Sequence, residues 1–222
     1  MFFKKMSAHS IQPFPIEVIM KNPQSSLLVL VAACLLALFG CSPSDSDNSS
    51  GGSSLTGPIA DLQGTYITGC YAAGSEYAKE IFTLSGTTVS SRADYYSDAS
   101  CTTLDNRISG TFTNVVIGDS VTFTDGTSGR KISYAVQTYE ITVFSTTTAA
   151  GYNSASLCGL TTWTTDTPVD LLGKTCSGTV IDVKNTTQYN LYNLMGNNLY
   201  LGTPKTDVYP TTVNTNVMYV KQ

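Results

Sequence analysis

Short runs in which apolar and polar residues alternate make up most of the chain from Ile59 onward. Their apolar members are mainly Tyr, Val, Ile and Phe, and Gly, Asn and Asp separate one run from the next. Alternation with period two places every second side chain on one face of a strand, and these residue types favour strands and turns. No long stretch has the 3.6-residue period of an amphipathic helix. The pattern therefore predicts an all-β domain.

The order of the runs predicts eight or nine strands joined as hairpins. Residues 62–70 form the first, and Ser85-Gly86 is the expected tip of the next hairpin. Along residues 131–144 the alternation changes parity, which predicts a β-bulge near Gln137 or Thr138. Residues 169–172 are expected to form a short helix or loop. Regularly spaced strands with close turns favour an antiparallel meander β-barrel of about eight strands, with a β-sandwich as the alternative.

An apolar run at residues 27–40 precedes this domain. It is too short to cross a bilayer, which takes about 20 residues, but it suits the hydrophobic core of a signal peptide. Read from Met20, the chain gives Lys21, a short polar spacer and then the apolar run. We therefore expect residues 1–40 to be a signal peptide with an upstream extension, and translation to start at Met20.

The end of the apolar run, Leu38-Phe39-Gly40-Cys41, resembles the lipobox of bacterial lipoproteins. The resemblance implies that Cys41 receives a diacylglycerol, with fatty acyl chains such as palmitate, and becomes the mature N-terminus. Ser42 is similar to the residue at that place in lipoproteins sorted to the outer membrane. Residues 42–57 contain almost nothing apolar and predict a flexible tether, so that residues 58–222 form the domain. The residues leave open which face of the membrane the domain occupies.

The charge balance argues against a nucleic-acid partner. The chain carries 12 Lys and Arg against 16 Asp and Glu, and the positive charges form no basic run. Binding to phosphate backbones depends on clustered Lys and Arg that release counterions. A polyanion such as DNA or RNA is therefore not the expected partner.

Four cysteines fall within the expected domain, at intervals of 31, 57 and 18 residues. An exported chain meets an oxidising compartment, so two disulfides are expected, and four cysteines allow three pairings. We favour the sequence-local pairing of Cys70 with Cys101 and of Cys158 with Cys176. The alternative is a four-thiolate zinc site, but such sites favour cysteines two to four residues apart.

The pattern and size of the domain are similar to those of a lipocalin-type barrel. Gly64-Thr65-Tyr66 occupies the place of the family's Gly-x-Trp motif, and residues 199–221 are similar to the last strands of lipocalin-like domains in bacterial lipoproteins. The resemblance implies an interior cavity for one small lipophilic ligand, although no lining residue can be assigned. The alternative is a structural or adhesive lipoprotein whose solid barrel contacts an envelope protein or a glycan.

Residues suited to catalysis or metal binding are few. The only histidine, His9, lies in the predicted upstream extension, so the domain lacks the commonest general base. Glu76 with Glu80, and Asp94 with Asp98, are spaced to face the same way on a strand and could form a glycosidase pair or a calcium site. Solvated loop charges are the simpler interpretation. We expect no enzyme activity, no metal and no cofactor.

Overall fold

The computed structural model describes residues 55–123 and 126–222, and most of the regular secondary structure in this part of the chain is β-strand. The predicted signal peptide, Cys41 and residues 42–54 of the predicted tether lie outside the described residues. Two α-helices are present, α1 (Pro58–Asp61) and α2 (Thr146–Ser154). The strands are β1 (Gly64–Thr68), β2 (Tyr71–Ala73), β3 (Glu76–Ser85), β4 (Thr88–Tyr96), β5 (Leu104–Thr122), β6 (Ser128–Val143), β7 (Pro168–Asp170), β8 (Thr175–Cys176), β9 (Thr179–Val180), β10 (Thr187–Met195), β11 (Asn198–Leu201) and β12 (Tyr219–Lys221).

Eight of the strands close into an antiparallel barrel. Around the barrel the order is β1, β12, β11, β10, β6, β5, β4 and β3, and β3 pairs with β1 to complete the ring. From β3 onward, each strand of the ring pairs with the ring strand that follows it in the chain. This is the connectivity of a meander. The predicted barrel is confirmed, and the β-sandwich alternative is not observed.

The alternation that predicted the strands also selects their inward faces. Along β3 the side chains of Ala78, Glu80, Phe82 and Leu84 are buried, while the residues between them are partly exposed. The predicted bulge is present at Gln137, because Val136 pairs with Phe112 while Thr138 pairs with Thr111. The extra residue returns the apolar side chains of β6 to the inner face after the change of parity.

The segment between β6 and β10 differs from the prediction. The predicted helix or loop at residues 169–172 is wrong at its start, since β7 pairs there with the second half of β6. The helix of this segment is α2, earlier in the chain, where the Ser145 hydroxyl accepts a hydrogen bond from the Thr148 backbone N–H. That bond satisfies one of the free donors at the helix start.

The buried side chains form two clusters, one at each end of the barrel. The first lies near the β3–β4 turn and the second lies under α2. The first contains Leu62, Tyr66, Phe82, Leu84, Val89, Phe112, Val115, Ile132, Tyr134, Val136, Tyr192, Leu199, Leu201 and Tyr219. The second contains Ala78, Ala93, Tyr95, Ile108, Ile141, Val143, Ala149, Cys158, Trp163 and Leu171. Glu80 lies on β3 between Ala78 of the second cluster and Phe82 of the first.

The connection after α2 is fixed by Trp163, which is 3 % exposed. Asn153 brackets its backbone, accepting from the Trp163 N–H at 2.6 Å and donating to its carbonyl at 2.9 Å. The indole N–H donates to the Leu157 carbonyl at 3.3 Å, and the Tyr152 ring contacts the indole edge-on. These contacts hold α2 and the following loop against the second cluster.

Two disulfides join the four domain cysteines in the favoured combination. Cys70, just before β2, is bonded to Cys101 in the β4–β5 connection. Cys158, after α2, is bonded to Cys176 in β8. Both bonds lie toward the α2 end of the barrel, where connections are longest and strand pairing is least extensive.

Candidate functional site: the barrel interior and its carboxylates

Side chains from several strands pack around a small void in the barrel interior. The void found there has a volume of about 10 Å³. A volume of that size holds about one water molecule. Its walls are formed by Phe82, Val89, Ser91, Phe112, Ile132, Tyr134, Asn190 and Leu201.

Aromatic side chains pack in pairs beside this void. Phe112 contacts Tyr134 edge-on with 5.0 Å between ring centres, and Tyr66 contacts Phe82 in the same way at 6.2 Å. The Tyr134 hydroxyl accepts a hydrogen bond from the Asn190 side-chain amide at 3.4 Å. Burial raises the pKa of Tyr134 to about 12. Tyr134 is therefore a neutral core residue, and the void beside it is much smaller than a cavity for a lipophilic ligand.

Glu80 is the most buried carboxylate of the interior that lacks a basic partner. It is 8 % exposed, and the hydroxyls of Tyr71 and Tyr219 each donate to one of its carboxylate oxygens. Its backbone N–H donates to the Thr68 hydroxyl at 2.8 Å. Burial raises the pKa of Glu80, and the two phenol hydrogen bonds partly oppose that rise. The group links β2, β3 and β12 across the closure of the barrel.

A second carboxylate contact lies nearer the α2 end. Glu76 is hydrogen-bonded to Asp105, and burial followed by the Asp105 charge raises the pKa of Glu76. Asp105 accepts from the Thr148 hydroxyl at 2.6 Å and from the Asn106 amide at 3.4 Å. These bonds fix the Asp105 side chain in place beside Glu76. The pair connects β3 and β5 to α2.

The predicted pairing of Glu76 with Glu80 is only partly reproduced. Both lie on the inward parity of β3, as their spacing predicted. Each is engaged by different partners, Asp105 for Glu76 and the phenols of Tyr71 and Tyr219 for Glu80. A glycosidase needs its two carboxyl groups on opposite sides of a substrate. The structure instead gives two separate hydrogen-bonded groups built into the barrel wall.

Asp94 and Asp98 are not brought together as a pair. Asp94 lies on the outer face of β4 and pairs with Arg92 and Arg107. Asp98 lies in the β4–β5 connection and accepts from the Ser100, Thr102 and Thr103 backbone N–H groups. The bond from Thr103 is the main cause of the lowered pKa of Asp98. Asp98 therefore stabilises the β4–β5 connection, while Asp94 holds two arginine side chains on the outer face of the barrel.

Across residues 55–123 and 126–222, no three or more His, Cys, Asp or Glu side chains are grouped so as to hold a metal ion. Within the same ranges, no helix has the length and apolar character needed to cross a membrane. Cys41, the predicted lipidation site, lies outside these ranges, so its lipidation stays a prediction.

Sequence reasoning missed the partners that define the carboxylate sites. Tyr219 is 139 residues from Glu80, and Asp105 is brought to Glu76 by the pairing of β3, β4 and β5. The sequence did contain one signal for Glu80. Its position alternates in step with Ala78 and Phe82, which places it on the inward face of β3. A carboxylate at an inward position predicts a hydrogen-bonded partner in the interior.

No protein-family model matches the chain, and no curated protein matches it. Membership of a lipocalin-type family therefore stays a prediction, while the barrel architecture itself is confirmed. Function has to be inferred from the chain's own residues.

Glu80→Gln should change how stability depends on pH. Because burial raises the folded-state pKa of Glu80, its contribution to stability is complete below the unfolded-state pKa of about 4.3 and is lost as the pH rises through the folded-state pKa. We therefore expect the parent to lose stability relative to the Gln variant as the pH increases from about 4 to 8. Urea unfolding at several pH values measures this difference.

Tyr219→Phe is the matched variant for that measurement. It keeps the ring in place but removes one donor that favours the ionised carboxylate. The loss of stability with rising pH should then be steeper than in the parent. A constant difference between the parent and Glu80→Gln across the whole pH range would show that Glu80 does not titrate in this way.

Proposed function

We propose that the protein is a non-enzymatic lipoprotein of the bacterial cell envelope, anchored through Cys41, whose solid barrel contacts a protein or glycan partner. The anchor rests on the resemblance of Leu38-Phe39-Gly40-Cys41 to a lipobox. Ser42 supports placement in the outer membrane. Two domain disulfides fit an exported protein in an oxidising compartment.

The observation that supports the contact function is the small size of the void in the barrel interior. Ligand pockets usually enclose about 300 to 1,000 Å³, whereas the void beside Phe112 and Tyr134 is about 10 Å³. A carrier of a small lipophilic ligand would require many aromatic and aliphatic side chains to move together. Partner contact through the outer surface requires no such change, and we therefore favour it over the carrier function.

The outer surface also indicates what kind of contact to expect. The large apolar side chains that are exposed come from different elements and connections: Val116, Val180, Val183, Met195, Val208 and Met218. Contacts that are not permanent are commonly no more apolar than the rest of a protein surface. A largely polar contact is therefore the better expectation for this barrel than a broad hydrophobic one.

Native mass spectrometry of the full chain, purified from membranes in a mild detergent, tests both parts of the proposal. We expect the parent to carry the covalent mass of a lipid, and Cys41→Ala to lack it. Cys34→Ala is the matched control, because it removes a cysteine from the same apolar run and leaves Cys41 in place. A parent without covalent lipid would contradict the anchor.

The same spectra test the solid barrel. We expect no additional mass to be released when the protein is denatured, even after incubation with a mixture of fatty acids. A lipophilic molecule released on denaturation from both the parent and Cys41→Ala would contradict the contact function. It would instead support a carrier whose barrel opens in solution.

A further inference from the structure

A group of cations lies on the outer face of three adjacent strands. Lys79 of β3, Asp94 of β4 and Arg107 of β5 are directly opposite one another in the strand register. Arg92 lies two positions before Asp94 on the same face of β4. Directly opposite side chains in antiparallel strands have Cβ atoms about 5 Å apart. The four residues therefore form one continuous surface, named here the arginine face.

The arginine face has more positive than negative charge in a chain whose overall charge is −4. It combines three cations with one carboxylate, and the Asp94 side chain is only 5 % exposed. Two further carboxylates lie near this face: Asp98, whose charge acts on Tyr96, and Glu140 of β6, which is aligned with Arg92 across β5. Two strand spacings, about 10 Å, separate Glu140 from Arg92. An anion that approaches Arg92 and Lys79 therefore meets a locally positive surface.

Asp94 holds the two arginines in place. Arg107 donates to it through Nε at 2.5 Å and Nη2 at 3.2 Å, and Arg92 forms an ion pair with it through Nη2 at 3.1 Å. Arg107 is also positioned by the ring of Phe144, 5.4 Å from its guanidinium carbon to the ring centre. A guanidinium fixed by a carboxylate and a ring loses little freedom when it binds a further group.

Donors remain free after these bonds are made. Arg92 Nε is buried and has no hydrogen-bond partner among the described residues. The Lys79 ammonium makes no ion pair or side-chain hydrogen bond within the described ranges. A buried donor without a partner is uncommon in folded proteins. Because the Arg92 side chain as a whole is 42 % exposed, its guanidinium is within reach of an acceptor from solvent, such as water or a ligand. Arginine and lysine donors are well suited to phosphate and carboxylate oxygens.

Two tyrosines border the free donors. Tyr77 and Tyr96 are directly opposite each other on β3 and β4, one step along the same face from Lys79 and Asp94. Burial and the charges of Asp94 and Asp98 raise the pKa of Tyr96, whereas Arg92 and Arg107 lower it, so its hydroxyl lies within the electrostatic reach of the arginine face. Tyrosine rings offer an apolar surface with a polar tip, which suits contact with a sugar ring.

We propose that the arginine face binds an oxyanion carried by a glycan, with Arg92 and Lys79 receiving a phosphate or carboxylate group and Tyr77 and Tyr96 contacting the attached sugar. The inference rests on the proposed contact function and names its partner as an anionic glycan. Arg107 and Asp94 act as the orienting pair: Asp94 holds Arg92 in place, and neither member of the pair has to contact the ligand.

Titration of the full chain in a neutral detergent with glucose 1-phosphate and with glucuronate, followed by NMR, tests this proposal. We expect saturable shifts of the Arg92 Nε–H signal and the Tyr96 ring signals, and none with glucose. Arg92→Gln should bind about tenfold more weakly, because it loses a hydrogen bond to a charged group. Lys184→Gln is the matched control, since it removes an exposed cation outside the arginine face and should bind as the parent does.

Three results would overturn the proposal. Equal binding of inorganic phosphate and glucose 1-phosphate would show that no sugar is recognised. Tighter binding of a glutamate-rich peptide than of either sugar would indicate a protein partner. Equal weakening by Arg92→Gln and Lys184→Gln would indicate general charge attraction. None of these results affects the lipid mass on Cys41 or the solid barrel, so failure here is distinguishable from failure of the proposed function.

Discussion

Phe112→Ala should lower the free energy of unfolding by about 4 kcal/mol. Truncating a fully buried phenylalanine removes its transfer free energy and leaves a cavity, at a typical cost of about 3 to 5 kcal/mol. Phe112 is 5 % exposed, contacts Tyr134 edge-on and already borders the small void. Its neighbours belong to a closed ring of strands, which limits their collapse into the new space. Urea unfolding measures the change.

Ser109→Ala is the matched control on the same strand. Ser109 is on the outward parity of β5, so its truncation should change stability by no more than about 0.5 kcal/mol. The Phe112→Ala barrel should also bind a small apolar molecule such as benzene, and we expect the parent not to bind it. A cost below about 1 kcal/mol would mean that the interior rearranges easily, and it would contradict the solid barrel.

Replacing both Cys70 and Cys101 with serine should cost about 3 to 4 kcal/mol. The bond closes a loop with a sequence separation of 31 residues, and the chain-entropy model assigns about this value to loops of that size. It also ties β2 to the β4–β5 connection, near the phenol of Tyr71 that donates to Glu80. Thermal unfolding of the variant and the parent under oxidising conditions measures the cost.

A reducing agent provides the internal control for the disulfide prediction. It should lower the stability of the parent by more than that of the double serine variant, because the variant retains only the Cys158–Cys176 bond to lose. Equal stability of the two proteins before reduction would contradict a structural role for the Cys70–Cys101 bond. Equal losses on reduction would show that this bond is not formed in solution.

Much of the barrel could be predicted because its local rules agree with its global fold. The Ser85-Gly86 hairpin tip, the bulge at Gln137 and the sequence-local disulfides all depend on residues close together in the chain. Gly86 has a φ of 61°, a conformation that glycine adopts without strain. Two residues, Ser85 and Gly86, were therefore enough to predict the turn.

The helix α2 could not be predicted, since its sequence does not favour a helix. Thr146, Thr147 and Thr148 are β-branched, Gly151 is flexible, and of the helix residues only Ala149 is buried. Tertiary contacts decide this segment, in particular the hydrogen bond from Thr148 to Asp105 and the bracketing of Trp163 by Asn153. Neither contact has a local signal.

The carboxylate sites and the arginine face were hidden for a related reason. The register pairs Lys79 with Asp94 and Asp94 with Arg107, and that alignment follows from turn lengths and from the bulge between Tyr95 and Tyr96. The sequence shows the charges without their alignment. A shift of one residue would move each of them to the other face of the barrel.

The closing strand of the barrel determines when the protein can finish folding. β12 contains only Tyr219, Val220 and Lys221, and it pairs Lys221 with Tyr66 of β1. Until β12 has paired, β1 has β3 as its single neighbour in the ring, and Glu80 lacks the hydrogen bond from the Tyr219 phenol. Closure of the ring therefore depends on a strand of three residues that is far from β1 in the sequence, so the barrel stays open until its two most distant strands have met.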